Sequence, residues 1–315
     1  MPRIVLTGAT GMIGSAIVRE ALRRGDEVVV IVREGSERSG NLVWHPGVQV
    51  VHAELSDYAG LEAPAKDCDA FLHLAWDKTS VAGRDDVDVQ VRNIQYTLDA
   101  VRLAHRMGCK AFVGAGSQAE YGPVDCDLTP STPANPTSGY GIAKLAAGRL
   151  SRLLCGQLGM RQNWARILSV YGPKDGSGTL ISYALGELKA GRSPQLTPCE
   201  QTWDYLHCDD AARALLALAS QGVDGKAYPL GSGRGRRLSE YLEIIRGKVA
   251  PSVELGFGAK PYYPHQPMHL VAAIAELTQD TGWCPEIDFA EGIGALVSQL
   301  DGATCARNGG SSRPV

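Results

Sequence analysis

Over residues 1–170, short runs of β-branched residues alternate with longer stretches in which apolar positions recur every three or four residues. Arg3–Thr7 (RIVLT) reads as a strand, and Met12–Arg24 as a helix with Ile13, Ile17, Ala21 and Leu22 near one face. Glu27–Val32 (EVVVIV) is almost continuously apolar, as a strand covered on both faces must be. Val48–His52 and Ala70–Leu74 read as the next two strands, Asp86–Met107 as a long helix and Lys110–Gly114 as a fifth strand. Ser138–Leu158 then gives a helix and Gln162–Leu168 a sixth strand. This βαβ rhythm predicts an α/β fold with a doubly wound parallel sheet. Beyond Tyr171 proline and glycine become frequent, with helical stretches at Ser182–Ala190, Asp209–Ser220 and Leu238–Val249. The pattern predicts a smaller substrate-binding region over residues 171–300, laid across the carboxyl edge of the sheet, with segments near 203–230 returning to the first domain. Asp301–Val315 contains Gly-Gly-Ser-Ser and no apolar period, which predicts a disordered tail.

Composition narrows the partners. Thirty-one basic side chains stand against 34 acidic ones, a net charge of −3, which offers nothing to nucleic acid or an anionic membrane. No apolar run is long enough to span a bilayer, and the amino terminus lacks the plan of a signal peptide, so the expectation is a cytoplasmic protein. The eight cysteines form no Cys-x-x-Cys pair and no Cys/His cluster at zinc-finger spacing. They read as reduced, mostly buried small apolar residues, and no metal site is predicted.

The first strand ends in Thr7-Gly8-Ala9-Thr10-Gly11-Met12-Ile13-Gly14. Three glycines between a strand and a helix allow a tight turn, close approach of backbone to a pyrophosphate, and close packing of the helix on the strand. The free N–H groups and dipole of the following helix favour phosphate. Gly8, Thr10, Gly11, Met12, Ile13 and Gly14 are therefore candidate dinucleotide contacts. After the second strand come Arg33, Ser36 and Arg38. A carboxylate there would accept from the ribose 2′-hydroxyl of NAD, whereas a guanidinium forks onto a 2′-phosphate, so NADP is preferred and NAD is the alternative. Glu34 beside Arg33, and the reading of Arg33 as a solvated strand-end residue, stand against that preference.

Tyr140 and Lys144 lie four residues apart on one face of the predicted helix Ser138–Leu158. A free phenol has a pKa of about 10, and a neighbouring ammonium favours the phenolate, which fits Tyr140 to exchange a proton with an alcohol or alkoxide. Ser117, just beyond the fifth strand, points a hydroxyl into the crevice where such sheets bind ligands. By itself a Tyr/Lys pair at this spacing is usually an ordinary surface pair. Its place after the fifth strand and behind the glycine loop gives it weight.

Taken together, Thr7–Gly14, Ser117 through Gly122, Tyr140/Lys144, Arg166–Pro173 (RILSVYGP) and Asp204–Asp210 (DYLHCDD) resemble the extended short-chain dehydrogenase/reductase family, whose members modify nucleotide sugars. The resemblance spans roughly residues 1–300. It implies that Ser117, Tyr140 and Lys144 are the catalytic triad. It also implies that Glu54, Leu55, Leu74, Ala75, Trp76, Asn93 and Ile167 line the cofactor site. A homodimer through the two long helices is a further implication.

Sugar 4,6-dehydratases of that family carry an acid two places after the catalytic hydroxyl, where this chain has Ala119. Glu120, one place later on a strand-like segment, should point the other way. Ketoreductase and epimerase remain. Arg33 favours an NADP-dependent ketoreductase acting on a nucleotide-linked 4-keto-deoxyhexose, with an NAD-dependent nucleotide-sugar epimerase as the alternative. On the substrate side the candidates are Trp76, Gln118, Ser169, Trp203, Tyr205 and Lys260. Trp203 replaces the family's diphosphate-gripping arginine, Ser169 replaces its asparagine, and Tyr262–His269 (YYPHQPMH) lacks a second arginine. Either Lys260, His265 or the Arg234, Arg236 and Arg237 group compensates, or the substrate is a ketone without a diphosphate, walled by Trp76, Trp203 and Tyr205. A cofactor-sensing protein without turnover is a third reading, disfavoured by the presence of both Tyr140 and Lys144.

Overall fold

The computed structural model describes residues 1–79, 83–176, 178–263 and 266–308, with residues 302–308 described by their backbone alone. Seven parallel strands form the main sheet: β1 (Arg3–Thr7), β2 (Glu27–Val32), β3 (Val48–His52), β4 (Ala70–His73), β5 (Ala111–Ser117), β6 (Arg161–Ile167) and β10 (Ala227–Leu230). Their order across the sheet is β10-β6-β5-β4-β1-β2-β3. The order reverses direction beside β1, which opens a crevice at the carboxyl ends of β1 and β4.

Alternation along each strand feeds two separate cores. Ile4 and Leu6 of β1 pack with helix α1 (Met12–Arg23) and helix α5 (Cys208–Gln221). Val5 faces the opposite layer, where α2 (Val87–Arg106) and α3 (Gly139–Gln157) lie side by side. Strands buried on both faces read as continuous apolar runs, which is why EVVVIV predicted β2 correctly. Asp86 caps α2 by accepting from the Val89 amide at 3.2 Å, and Ser138 caps α3 by accepting from Gly141 at 3.1 Å.

The remaining elements are β7 (Ser169–Tyr171), α4 (Leu180–Lys189), β8 (Thr202–Trp203), β9 (Tyr205–His207), β11 (Arg236–Arg237), α6 (Leu238–Val249), β12 (His269–Leu270), α7 (Ala275–Thr281) and α8 (Phe289–Asn308). Helices α4, α6 and α8 share a third core with Tyr171, Tyr241 and Phe289. Asp204, fully buried, fastens this region to itself: its carboxylate accepts from the Ser232, Gly233 and Ala272 amides and the Ser232 hydroxyl. Although the carboxyl end reads from sequence as an irregular tail, α8 continues through Asn308. Asp301–Asn308 contains no proline, and its lone glycine costs too little to stop a running helix. Residues 309–315 lie outside the described residues.

Trp164 on β6 is buried beneath the site. Its indole occupies room left by three glycines. A Cβ at Gly114 or Gly148 would sit on the ring, and one at Gly116 would meet the indole nitrogen and the Glu120 carboxylate.

Candidate active site

The glycine loop is shaped as its sequence demands. Gly8 holds φ +77°, and a Cβ there would press within 3.2 Å of Leu74 and Ala75. A Cβ at Gly14 would collide with the Gly8 carbonyl, so only glycine lets α1 approach β1 this closely. Gly11 begins α1 with neither a side-chain cap nor an acidic residue in the first turn, which leaves Met12 and Ile13 amides to meet an anion. These features fit a dinucleotide pyrophosphate. The Thr10 carbonyl is held by the Asn41 side chain at 3.0 Å.

The residues expected to line the cofactor site lie around this loop and the neighbouring strand ends. The Thr7 hydroxyl accepts from the Leu74 and Ala75 amides at 3.1 Å each and pairs with His73 Nδ1 at 2.9 Å. Asn93, buried on α2, clasps the Asp77 backbone with two hydrogen bonds of 2.9 and 3.0 Å. It therefore shapes the strand-to-helix loop that carries Trp76. Glu54 is exposed, and its amide donates to Asp57 in a capping box that starts a short turn with Leu55. At the end of β2, Arg33 and Arg38 are exposed and Ser36 is buried. Ile167 lies in register with Ser117 on the neighbouring strand.

Ser117, Tyr140 and Lys144 converge. Strand β5 runs three residues further than its sequence suggested and ends at Ser117. Burial pushes the Tyr140 phenol up, while a hydrogen bond with the Ser117 hydroxyl and the Arg84 guanidinium pull it down. Lys144 is only 3% exposed, and its Nζ donates to the Ala115 carbonyl at 2.6 Å. The Trp76 ring roofs that nitrogen at 3.6 Å. Burial brings Lys144 down to about 7, opposed by the Glu120 charge. The Trp76 indole N–H donates to Gln90 at 3.0 Å, and its ring meets Tyr140 edge to face.

Glu120 corrects one expectation. The segment after Ser117 is a one-turn helix, Gln118–Glu120, not a strand, because Ser117 and Glu120 form a capping box. Glu120 is fully buried, and its carboxylate accepts from the Ser117 amide, the Trp164 indole and the Arg166 guanidinium, each at 2.8 Å. Glu120 is thus not a free acid, and Gln118 and Ala119 beside it are half-buried and outside the lining of the cavity described next.

A cavity of about 530 Å³ has a lining that includes Ser169, Trp203, Tyr205, Gln201, Asp175 and Lys260 but not Ser117, Tyr140 or Lys144. Trp203 and Ser169, both departures from the family pattern, satisfy each other: the indole N–H donates to the Ser169 hydroxyl at 2.8 Å. Among the described residues Lys260 is the one cation lining the cavity, its Nζ 5.2 Å from the centre of the Tyr183 ring. Arg234 and Arg236 do not line this cavity. They turn to Asp288, at 3.9 and 3.3 Å, on a separate small crevice, while Arg237 is exposed at the start of α6. His265 lies outside the described residues. Trp76 is on the opposite side, against Lys144, and does not line this cavity.

Among the described cysteines, five are buried and two, Cys126 and Cys284, are exposed, and all seven are free. His207, Cys208 and Asp209 bring ligand atoms within 4.8 Å of one another. They start α5: His207 Nδ1 accepts from the Asp209 amide at 3.2 Å and Asp209 pairs with Arg19 at 2.8 Å. Sequence reasoning missed Glu120 and Asp204 as organising groups. Both fall inside motifs, but apart from the Ser117 amide their partners lie tens of residues away.

Residues 4–231 match the family model described as the NAD dependent epimerase/dehydratase family. UDP-glucuronic acid decarboxylase 1 of Arabidopsis thaliana is 25% identical over 95% of this chain and 69% of its own length. A dTDP-glucose 4,6-dehydratase of Streptomyces griseus is 26% identical, covering 94% of this chain and 93% of its own. Among solved structures, UDP-N-acetylglucosamine 4-epimerase from Methanobrevibacter ruminantium superposes with a TM-score of 0.84 at 24% identity, over 96% of this chain and 99% of that one. With the parallel sheet, the glycine loop and the Ser117/Tyr140/Lys144 cluster in place, this chain belongs to the NAD-dependent epimerase/dehydratase family, enzymes of the extended short-chain dehydrogenase/reductase type.

Proposed function

We propose that the protein is an NADP-dependent ketoreductase acting on a keto-sugar, a nucleotide-linked 4-keto-deoxyhexose. The observation that carries this reading is the cationic end of β2, where Arg33 and Arg38 stand exposed in place of a ribose-binding carboxylate. The nicotinamide supplies or accepts hydride when bound. Tyr140 gives the proton to the forming alkoxide, Ser117 holds the reacting oxygen by a hydrogen bond, and Lys144 favours the phenolate left behind. Ala119 and the ion-paired Glu120 leave no free acid at the positions just after Ser117 for a dehydration step. In the cavity of about 530 Å³, Lys260 is the partner for a diphosphate, while Trp203 and Tyr205 offer flat apolar surface to a base.

The same reading gives a homodimer. Val87 and Val91 on α2 and Ile142, Leu150 and Leu153 on α3 are exposed apolar residues on two adjacent helices. Localisation in the cytoplasm goes with it, and no helix among the described residues is long and apolar enough to cross a membrane.

Isothermal titration with NADPH and NADH tests the reading, using wild type and Arg33→Asp. Tighter NADPH binding, weakened or reversed by Arg33→Asp, is expected. Equal affinities or a preference for NADH would remove the reductase reading. An NAD-dependent epimerase is the second reading, favoured by the fold likeness to a protein named as a nucleotide-sugar 4-epimerase.

A further inference from the structure

Tyr140 has two cations beside it. From its own helix, Lys144 Nζ lies 5.7 Å from the centre of the phenol ring. From the loop before α2, the Arg84 guanidinium lies 5.4 Å from the same point. The two differ in kind. Lys144 is sealed under Trp76, where desolvation leaves an ammonium that gives up its proton near neutral pH. A guanidinium keeps its charge at every working pH.

Arg84 is also held in place from the helix that carries Tyr140. Asp85, next to it, accepts from the Gly139 amide at 2.8 Å, and Gln90 donates to the Gly83 carbonyl at 2.9 Å. Arg84 itself donates to the Thr79 carbonyl at 3.4 Å. Among the described residues no carboxylate lies within salt-bridge distance of it, so its charge is not spent on an acid. The groups opposing it are Glu120, buried beneath Tyr140 and neutralised by Arg166, and Asp85, turned to the amide of Gly139.

We propose that Arg84 supplies the permanent positive charge at Tyr140 and so favours its phenolate, a part additional to that of Lys144. The proposal rests on Tyr140 being the proton-exchanging group. Arg84 acts through Tyr140, which makes it a positioning residue in the electrostatic sense. Its position in the loop carries no motif, and only the fold brings it to the phenol.

The test needs no substrate. Tyrosinate absorbance is followed against pH in NADP⁺-loaded protein, and the signal of Tyr140 is isolated by subtracting the Tyr140→Phe protein. Arg84→Gln should raise the Tyr140 midpoint by about half a unit to one unit at low salt. The shift should shrink in about 1 M potassium chloride, where screening falls to about 3 Å. Arg84→Lys should shift the midpoint less than Arg84→Gln does, since its ammonium, with an ordinary pKa of about 10.4, is still largely charged as the phenol begins to titrate. An unmoved midpoint in Arg84→Gln overturns the proposal, as does an equal shift in Arg84→Lys or a shift indifferent to salt. Turnover retained by Tyr140→Phe would instead remove the underlying reading of Tyr140, whatever Arg84 does to its titration.

Discussion

Replacing Arg166 by methionine removes one half of the buried ion pair that supports Ser117. In the wild type the Glu120 side chain is fully buried and that of Arg166 is 9% exposed, and the two meet at 2.8 Å. Methionine keeps most of the volume over the Tyr121 ring, where the guanidinium now lies 4.5 Å from the ring centre. The carboxylate would keep the Ser117 amide and the Trp164 indole, two neutral donors, and lose its ion-pair partner. Breaking a buried pair from one side costs about 3–5 kcal/mol, because an uncompensated charge stays in the interior. Arg166→Met should therefore lose about that much stability at neutral pH. Glu120→Gln/Arg166→Met removes both charges and should regain at least about 2 kcal/mol over the single variant. Urea unfolding followed by circular dichroism at neutral pH compares both variants with the wild type. A deficit below about 1 kcal/mol, or a double variant no better than Arg166→Met, would refute the reasoning.

Tyr140→Phe should bind cofactor as the wild type does and lose turnover by roughly a hundredfold or more, checked by single-turnover kinetics on a ketone that the wild type reduces. His73, 3% exposed and held neutral by burial with its pKa lowered to about 3, should make the protein acid-sensitive. The unfolded chain takes up that proton near pH 6.5, so stability falls between there and pH 3 by up to about 1.4 kcal/mol per unit. His73→Gln should flatten that slope in urea midpoints measured between pH 4 and 6.5. If the protein is the proposed homodimer, sedimentation equilibrium at micromolar concentration should give a dimer for the wild type and a monomer for Val91→Asp and Ile142→Asp, and a dimer mass retained by both variants would exclude α2 and α3 as the interface.

The sheet was legible because its strands announce themselves locally. EVVVIV and RIVLT need no distant partner to be recognised, and the glycine loop is a contiguous signal between a strand and a helix. The proximity of the candidate catalytic residues was legible for the same reason: Tyr140 and Lys144 are one helical turn apart, and Ser117 ends a strand. What escaped is what depends on long-range placement. The two-residue strands Thr202–Trp203, Arg236–Arg237 and His269–Leu270 exist only because they pair with one another. The turn at Gln118–Glu120 replaced a strand because Glu120 reaches back to the Ser117 amide and across to Arg166, 46 residues away. Trp203 read as a lost arginine; its bond to Ser169 shows two departures acting as one neutral pair.

The indole of Trp164 and the three glycines that face it have a consequence for how the sequence can change. Gly114, Gly116 and Gly148 come from β5 and α3, and none can gain a methyl group while the indole is in place. Trp164 in turn cannot shrink without leaving a void and removing one of the two N–H donors that meet the same Glu120 oxygen. Single steps from this arrangement lead downhill in either direction, whereas a smaller ring at 164 opens the way to alanine at 148. The permitted order is fixed, with the indole yielding first. Gly148→Ala should thus be deleterious alone and partly tolerated on a Trp164→Phe background, so that the four positions drift through descendants of this chain as a linked set.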